Sequence, residues 1–360
     1  MMRSHALQID WSLLIPVIIL VVFGLVTLLS VNPLFFRNQL VFLLISLVLF
    51  FFISQMNYKT LQAFAVPLYI FSVLLLLIVL FIGFESRGAV RWVTVFGISI
   101  QFSEILKPVL ALSFAGFLTN TEARSFKLFL KIIIFLVPIV IAIALQPDLG
   151  NALIYIGVAL MTLMVFGFPI SWFVYCTIPF LIMSPFLWTL LHDYQKQRLL
   201  TFIHPTNDPL GTSYNVIQAV IAVGSGMFLG KGLGESTQSG LRFLPERHTD
   251  FIFATLSEGL GFVGSFMVLL LFVILFYKIF SIYQHATDEF GKLFAVCAFC
   301  FLIIHFFINV GMNLGLLPIV GVTLPFVSFG GSSLLSNFIF LGILSSISTA
   351  FKERRVLEIR

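Results

Sequence analysis

Charged side chains are scarce in this sequence. Asp, Glu, Lys and Arg make up 10% of the 360 residues and apolar types 60%, whereas an ordinary soluble protein carries about 25% charge. A water-soluble domain is thereby excluded, although the length would accommodate more than one. Cysteine is scarce too: Cys176, Cys297 and Cys300 all fall inside apolar runs. Cys297 and Cys300 have C-x-x-C spacing, but no second ligand pair exists to complete a zinc site, so packing as free thiols is expected. No other His, Cys or carboxylate cluster has metal spacing, and neither a Ser-His-Asp order nor G-x-S-x-G occurs. The glycine-rich GSGMFLGKGLG lacks the Gly-Lys-Ser/Thr of a phosphate loop. A net charge of +5 spread this thinly argues against nucleic acid and for anchoring in a membrane.

Long apolar runs take the place of what is missing. A helix needs about 20 mostly apolar residues to cross a bilayer. Ten stretches qualify, at roughly 12–31, 38–54, 62–84, 103–119, 129–146, 150–167, 170–191, 252–280, 292–314 and 333–350. The expected fold class is therefore all-α, a polytopic integral membrane protein forming one domain over residues 1–360. Its non-spanning outer segments fall at 85–102, 192–250 and 315–332. The first run follows a short segment with Arg3 and has no small-residue cleavage site, so it reads as an anchor. Ten crossings put both termini on one side, where eleven of the twenty Lys and Arg fall. Five of the other nine lie in the long loop, where they weigh little, so both termini are expected in the cytoplasm. Within that loop, Tyr214 to Leu229 is apolar but too short to cross, which predicts a re-entrant or interfacial helix.

The outer side holds ionisable residues that border or enter apolar helices, and such residues need partners. In Leu244 to Gly264, the run Pro245-Glu246-Arg247-His248-Thr249-Asp250 precedes Phe251-Ile252-Phe253 and a long apolar stretch. Asp250 thus sits at the mouth of a helix, where a carboxylate is costly to desolvate. Glu104 and Lys107, three apart, share a helix face and form either a helix-end salt bridge or a pair facing a polar cavity. Asp148 suits the amino end of the sixth span as a cap. Arg87 and Arg91, with Trp92 adjacent, and Arg198, His204 and Arg242 are either ordinary loop residues or ligands for an anion. Glu258 reads as a second acid or as the buried partner of a basic residue, with the partner favoured. His305, deep in the ninth span, reads as a packed, hydrogen-bonded histidine. Carboxylates and cations remain as the candidate chemistry, which suits proton abstraction beside a polyanionic leaving group.

Seven stretches in order resemble the SEDS family (shape, elongation, division and sporulation) of bacterial peptidoglycan glycosyltransferases. They are Arg87 to Trp92, Gln101 to Lys107, Gln146 to Gly150, the glycines from Gly224 to Gly234, Ser236 to Gln238, Leu244 to Phe253, and Asn313 to Ser333. PERHTDF with Arg247 looks like the elongation branch, RodA, more than the division branch, FtsW. Two positions depart from the family pattern: Phe102 stands where proline is usual, and Gly259 replaces a common second glutamate after Glu258.

The resemblance implies polymerisation of lipid II into glycan strands on the outer face of the membrane, with a class B penicillin-binding protein as transpeptidase partner. By analogy the family's essential aspartate is Asp250, the expected general base of a single inverting displacement. Phe251 and Phe253 beside it are expected to exclude water. Glu104, Lys107, Arg87, Arg91, Trp92, Arg198 and Arg242 are the expected substrate-binding residues. No resident cofactor is expected; a magnesium or manganese ion, if used, would be bridged by substrate pyrophosphate. The competing readings are a lipid II flippase, which ten spans with buried charges would also suit, and a scaffold that only recruits the transpeptidase.

Overall fold

Capping side chains set where several of the helices begin. The computed structural model describes residues 9–86, 89–95, 98–119, 125–204, 213–235, 237–240 and 243–358. Asp10 caps α1 (Trp11–Val31) by accepting from Ser12 N. Asn32 then caps α2 (Pro33–Ser54), with Pro33 in its first turn, so the second span starts ahead of residue 38, where hydropathy alone places it. The third span is α3 (Tyr58–Ala63) joined to α4 (Ala65–Ile82). Three short strands follow, β1 (Phe84–Ser86), β2 (Ala89–Val95) and β3 (Ile98–Gln101), in an antiparallel sheet of that order. Hydropathy places 85–102 outside the membrane without anticipating this sheet.

Next come α5 (Phe102–Ile105), α6 (Lys107–Thr119), α7 (Phe126–Leu145), α8 (Leu149–Phe166) and α9 (Ile170–Leu190). The long loop carries α10 (Asp193–Ile203), α11 (Tyr214–Ser225) and the single turn α12 (Thr237–Gly240). The chain then runs through α13 (Ile252–His285), α14 (Glu289–Asn313) and α15 (Gly331–Glu358). Among the described residues, nine helices are long and apolar enough to cross a membrane. The 13-residue α6 is shorter. Its first residue, Lys107, meets His305 in the second half of α14, and Gly116 near its end lies against Phe290 at the start of α14. It therefore runs antiparallel to α14, in the stretch where the sequence places a fourth span.

The most enclosed spans are α14 and α15, and the least enclosed is α9, whose Val174, Phe180, Leu181 and Ile182 are exposed, as lipid-facing residues are. The 12-residue α11 packs Ala219 and Ala222 against Phe251 and Ala254 instead of crossing. Its length and position match the short helix expected there. The three cysteines are free, with Cys297 and Cys300 buried.

One span is broken. At Gly261, φ is 67° and ψ −162°, so α13 consists of two helical pieces. The backbone groups around the break are paired with the glycine-rich loop that follows α11. Phe262 N donates to Met227 O (2.9 Å), Val263 N to Phe228 O (3.2 Å), Lys231 N to Glu258 O (2.9 Å) and Gly232 N to Gly259 O (3.1 Å). Glu258, fully buried, accepts from Gln238 N at 2.8 Å and from Ser239 N and Oγ at 2.9 and 2.7 Å, with Lys231 Nζ 3.7 Å away. It is the buried partner that the sequence favours, and it fastens α12 to the span.

Candidate active site

Asp250 ends the turn that delivers the chain into α13, and the turn is gripped from three sides. Thr249 N and Phe251 N both donate to Glu246 O, at 3.1 and 3.2 Å, which closes the turn on itself. The loop between α14 and α15 adds Phe329 N to His248 O at 2.9 Å and Ser328 Oγ to Thr249 O at 2.8 Å. The His248 ring stacks on Phe35 at the start of α2, with centroids 4.1 Å apart and planes 7° from parallel. From α14, Asn309 Nδ2 and Asn313 Nδ2 both donate to the carbonyl of Asp250, at 3.0 and 2.9 Å. Asn309 Nδ2 also reaches Val322 O (2.7 Å), and Asn313 Oδ1 accepts from Ala254 N (2.9 Å). The main chain of Asp250 is therefore fixed, and its side chain is half-buried.

Asp250 and Arg198 meet around Gly321. A methyl group added to Gly321 would lie 3.5 Å from Asp250 Oδ2 and 3.7 Å from Arg198 Nη1. The φ of Gly321 is +77°, a conformation glycine adopts without strain. The carboxylate and the guanidinium thus both lie within van der Waals reach of this one glycine. Arg198 Nη1 donates to Val320 O at 3.3 Å, and its guanidinium lies 5.6 Å from the centre of the Tyr194 ring. Tyr194 in turn donates through Oη to Pro147 O at 2.7 Å, which ties α10 to the start of α8. Asp250, Arg91 and Asp148 all act electrostatically on Arg198, so the four charges form one group.

Asp148 organises the other half of that group. It caps α8, as expected, with Oδ1 3.4 Å from Asn151 N. It also binds Arg91 Nη1 at 3.1 Å and accepts from Gln101 Nε2 and Asn151 Nδ2, both at 2.9 Å, with Ser103 Oγ at 3.4 Å. The sheet is what brings these donors in, since β2 and the end of β3 carry Arg91 and Gln101 to one carboxylate. Trp92 is half-buried in the ladder, opposite Phe84 and Gln101. His204 ends α10 exposed.

Glu104 and Lys107 are buried, paired at 2.5 Å and joined by His305, whose Nε2 is 2.6 Å from Lys107 Nζ. His305 Nδ1 lies 2.7 Å from Phe301 O and donates to it, so Nε2 carries the lone pair that accepts from the ammonium. Phe102 in place of proline leaves the pair intact. Enclosed in this way, the two charges neutralise each other and present no free group to a ligand. Arg87 and Arg242 lie outside the described residues.

The structure therefore brings together Asp250, Arg198 and Arg91, with Glu104 and Lys107 paired in the interior. Gln101, Tyr194, Asn309, Asn313 and Gly321 are the additions that sequence reasoning misses. Gln101, Asn313 and Gly321 lie within stretches that carry the resemblance, but nothing in the sequence assigns them a contact.

Residues 5–353 match the cell cycle protein family that groups FtsW, RodA and SpoVE. The peptidoglycan glycosyltransferase MrdB of Escherichia coli K12 is 39% identical over 308 residues, 84% of this chain and 82% of that protein. Stage V sporulation protein E of Bacillus subtilis is 35% identical over 320 residues, 87% of each chain. Among solved structures, a chain from work on how a peptidoglycan synthase complex coordinates polymerisation and crosslinking superposes with a TM-score of 0.83 and 29% identity, covering 97% of this chain and 99% of that one. The Thermus thermophilus rod shape determining protein RodA gives a TM-score of 0.72 at 28% identity, over 98% and 99%. A match over nearly the whole chain, with relatives well above 30% identity, establishes that the protein belongs to the FtsW/RodA/SpoVE family.

Proposed function

We propose that this chain is a peptidoglycan glycosyltransferase of cell elongation, which polymerises lipid II into glycan strands at the outer face of the bacterial cytoplasmic membrane. The observation that carries the reading is the meeting of the Asp250 carboxylate and the Arg198 guanidinium at Gly321. The names of the relatives and the synthase-complex neighbour support it. Both termini are cytoplasmic and Asp250 faces outward, in keeping with the distribution of basic residues along the chain. A class B penicillin-binding protein is the partner, an assignment supported by the likeness to a chain of a synthase complex.

The donor sugar bears an α-linked pyrophosphate and the product linkage is β-1,4, so one inverting displacement suffices. The Asp250 carboxylate takes the proton of the acceptor 4-hydroxyl as that oxygen attacks the donor C1. The bond from C1 to the pyrophosphate oxygen breaks, and the lipid pyrophosphate leaves with the electron pair. Arg198, and Arg91 aimed by Asp148, offset the charge that develops on it. Arg87 and Arg242 are further cations for the same group, and Trp92 flanks Arg91 on β2. Glu104 and Lys107 belong to the binding site as its support: their pair holds the start of α6 beneath Ser103 and Asp148. Among the described residues no group of three or more His, Cys, Asp or Glu could hold a metal ion. A magnesium or manganese ion, if used, is one bridged by substrate pyrophosphate.

The test is polymerisation of labelled lipid II by purified protein, with and without its penicillin-binding partner, beside Asp250→Ala. General-base catalysis is worth roughly 10²–10⁴-fold, and a loss of that size in a well-folded variant is expected. Polymer from both proteins would move the base elsewhere. Polymer from neither would favour a flippase, and a liposome flipping assay would follow.

A further inference from the structure

A cavity of about 510 Å³ opens at the end of the molecule that carries both termini, far from Asp250. It lies between the start of α1 and the last turns of α13 and α15, and is within the roughly 300–1,000 Å³ range of small-molecule sites. Lys278, Ser281, Ile282 and His285 follow one another at i, i+3, i+4 and i+7, so one face of α13 supplies one wall. Leu13 of α1 and Ile347 and Phe351 of α15 add apolar side chains, beside Asp10, Ser12, Ser348 and Lys352.

The charges around this cavity are unequal. Lys352 is held by Asp10 at 2.9 Å, and Asp10 also accepts from the hydroxyls of Ser12 and Ser348, so its charge is already engaged. Among the described residues no acidic side chain forms a salt bridge with Lys278. His285 Nδ1 lies 2.8 Å from Ser281 O and donates to it, which leaves Nε2 for a ligand. Trp11 at the start of α1 and Tyr277 next to Lys278 are 57% and 66% exposed, and exposed Trp and Tyr at the ends of spans are the residues that form belts at headgroup level.

We propose that this cavity binds the phosphodiester headgroup of an anionic glycerophospholipid from the adjoining leaflet. Lys278 and His285 take the phosphate, and the half-buried Phe351, with the edge of Ile282, takes the glycerol and the first acyl carbons. A soluble phosphate would use the same cations but not the apolar wall, and the wall is what favours a lipid. Basic pockets between spanning helices bind anionic headgroups in this manner. A lipid held there would clamp α1, α13 and α15 together at the end remote from the Asp250 turn.

The experiment uses the full chain in detergent, with bound lipid measured by native mass spectrometry and by the shift in melting temperature. The probes are phosphatidylglycerol, phosphatidylcholine and inorganic phosphate. Wild-type protein is expected to retain phosphatidylglycerol over phosphatidylcholine and to be stabilised by it. Lys278→Gln should weaken retention about fivefold, the worth of one interfacial lysine, and Lys278→Gln/His285→Gln should weaken it further. Lys127→Gln, at the same end but outside the cavity, should retain the lipid as wild type does. All variants are first matched for melting temperature without lipid. Equal retention of both lipids, equal loss from Lys127→Gln, or stabilisation by inorganic phosphate as large as that by phosphatidylglycerol would each overturn the proposal.

Discussion

The carbonyl of Asp250, the candidate base, is held by two asparagine amides that converge on it from α14. One of them, Asn309, also holds Val322 O, next to the glycine that separates Asp250 from Arg198. Losing a buried hydrogen-bond partner costs about 1–3 kcal/mol, and here the cost falls on the aim of the carboxylate. Because the carbonyl accepts from both amides, Asn309→Ala or Asn313→Ala alone should lower turnover by roughly tenfold or less, and the double variant by clearly more. That range corresponds to about 1.4 kcal/mol per tenfold. Lipid II polymerisation with separate kcat and KM is the measurement; a double variant that folds and turns over like wild type would sink the argument. Asp250, Arg198 and Asp148 were legible in the sequence because an ionisable residue stands out in an apolar chain. The asparagines were not, because the carbonyl they hold lies 59 and 63 residues away along the chain, and spacing of that order carries no signal.

Among the elements, the broken α13 and its glycine-rich strap carry the most specific geometry. A Cβ at Gly261 would stand 2.2 Å from Gly230 N and 2.7 Å from Phe228 O, both main-chain atoms that cannot rotate away. The φ of +67° with ψ of −162° adds roughly 1–3 kcal/mol of backbone strain for any other residue. Gly261→Ala should therefore destabilise the protein by at least about 2 kcal/mol once the overlap is added to the strain. A lower melting temperature and faster proteolysis within 226–240 are the expected readouts. A variant that melts and is cleaved like wild type would show that the strap is not fixed by this contact. Hydropathy reads the crossings well, because bilayer thickness sets the length of each run, and it places α11 as too short to cross. It does not read the break, since GLGFVG within an apolar run is equally compatible with a continuous helix. Nor does it read the sheet, whose strands are too short to rise above the surrounding apolar sequence, although β2 has the β-branched residues that strands favour.

Across the whole molecule, the first and last spans are joined at the end that carries the termini. Asp10 is the knot: its N–H donates to Ser345 Oγ at 3.1 Å, and its carboxylate receives Ser12, Ser348 and Lys352. Burial alone would raise the carboxyl above the usual range, but the hydrogen bonds from Ser348, Ser12 and Lys352 and the charge of Lys352 together outweigh it and hold the group below. A carboxylate depressed in the folded state stabilises the fold fully above its unfolded value, near 3.9. That contribution is lost as pH falls through the lower, folded value, because the unfolded chain takes up the proton first. Asp10→Asn removes the charge at every pH while keeping the shape, so it should melt below wild type at pH 7. The gap between the two should narrow as the pH is lowered past 4 towards 3, when wild type loses the same interaction. Melting curves of the two proteins in one detergent from pH 7 to pH 3 measure this directly. A gap that stays constant over that range would mean that the knot holds through shape and hydroxyl contacts, and that the charge of Asp10 does not help bind the first span to the last.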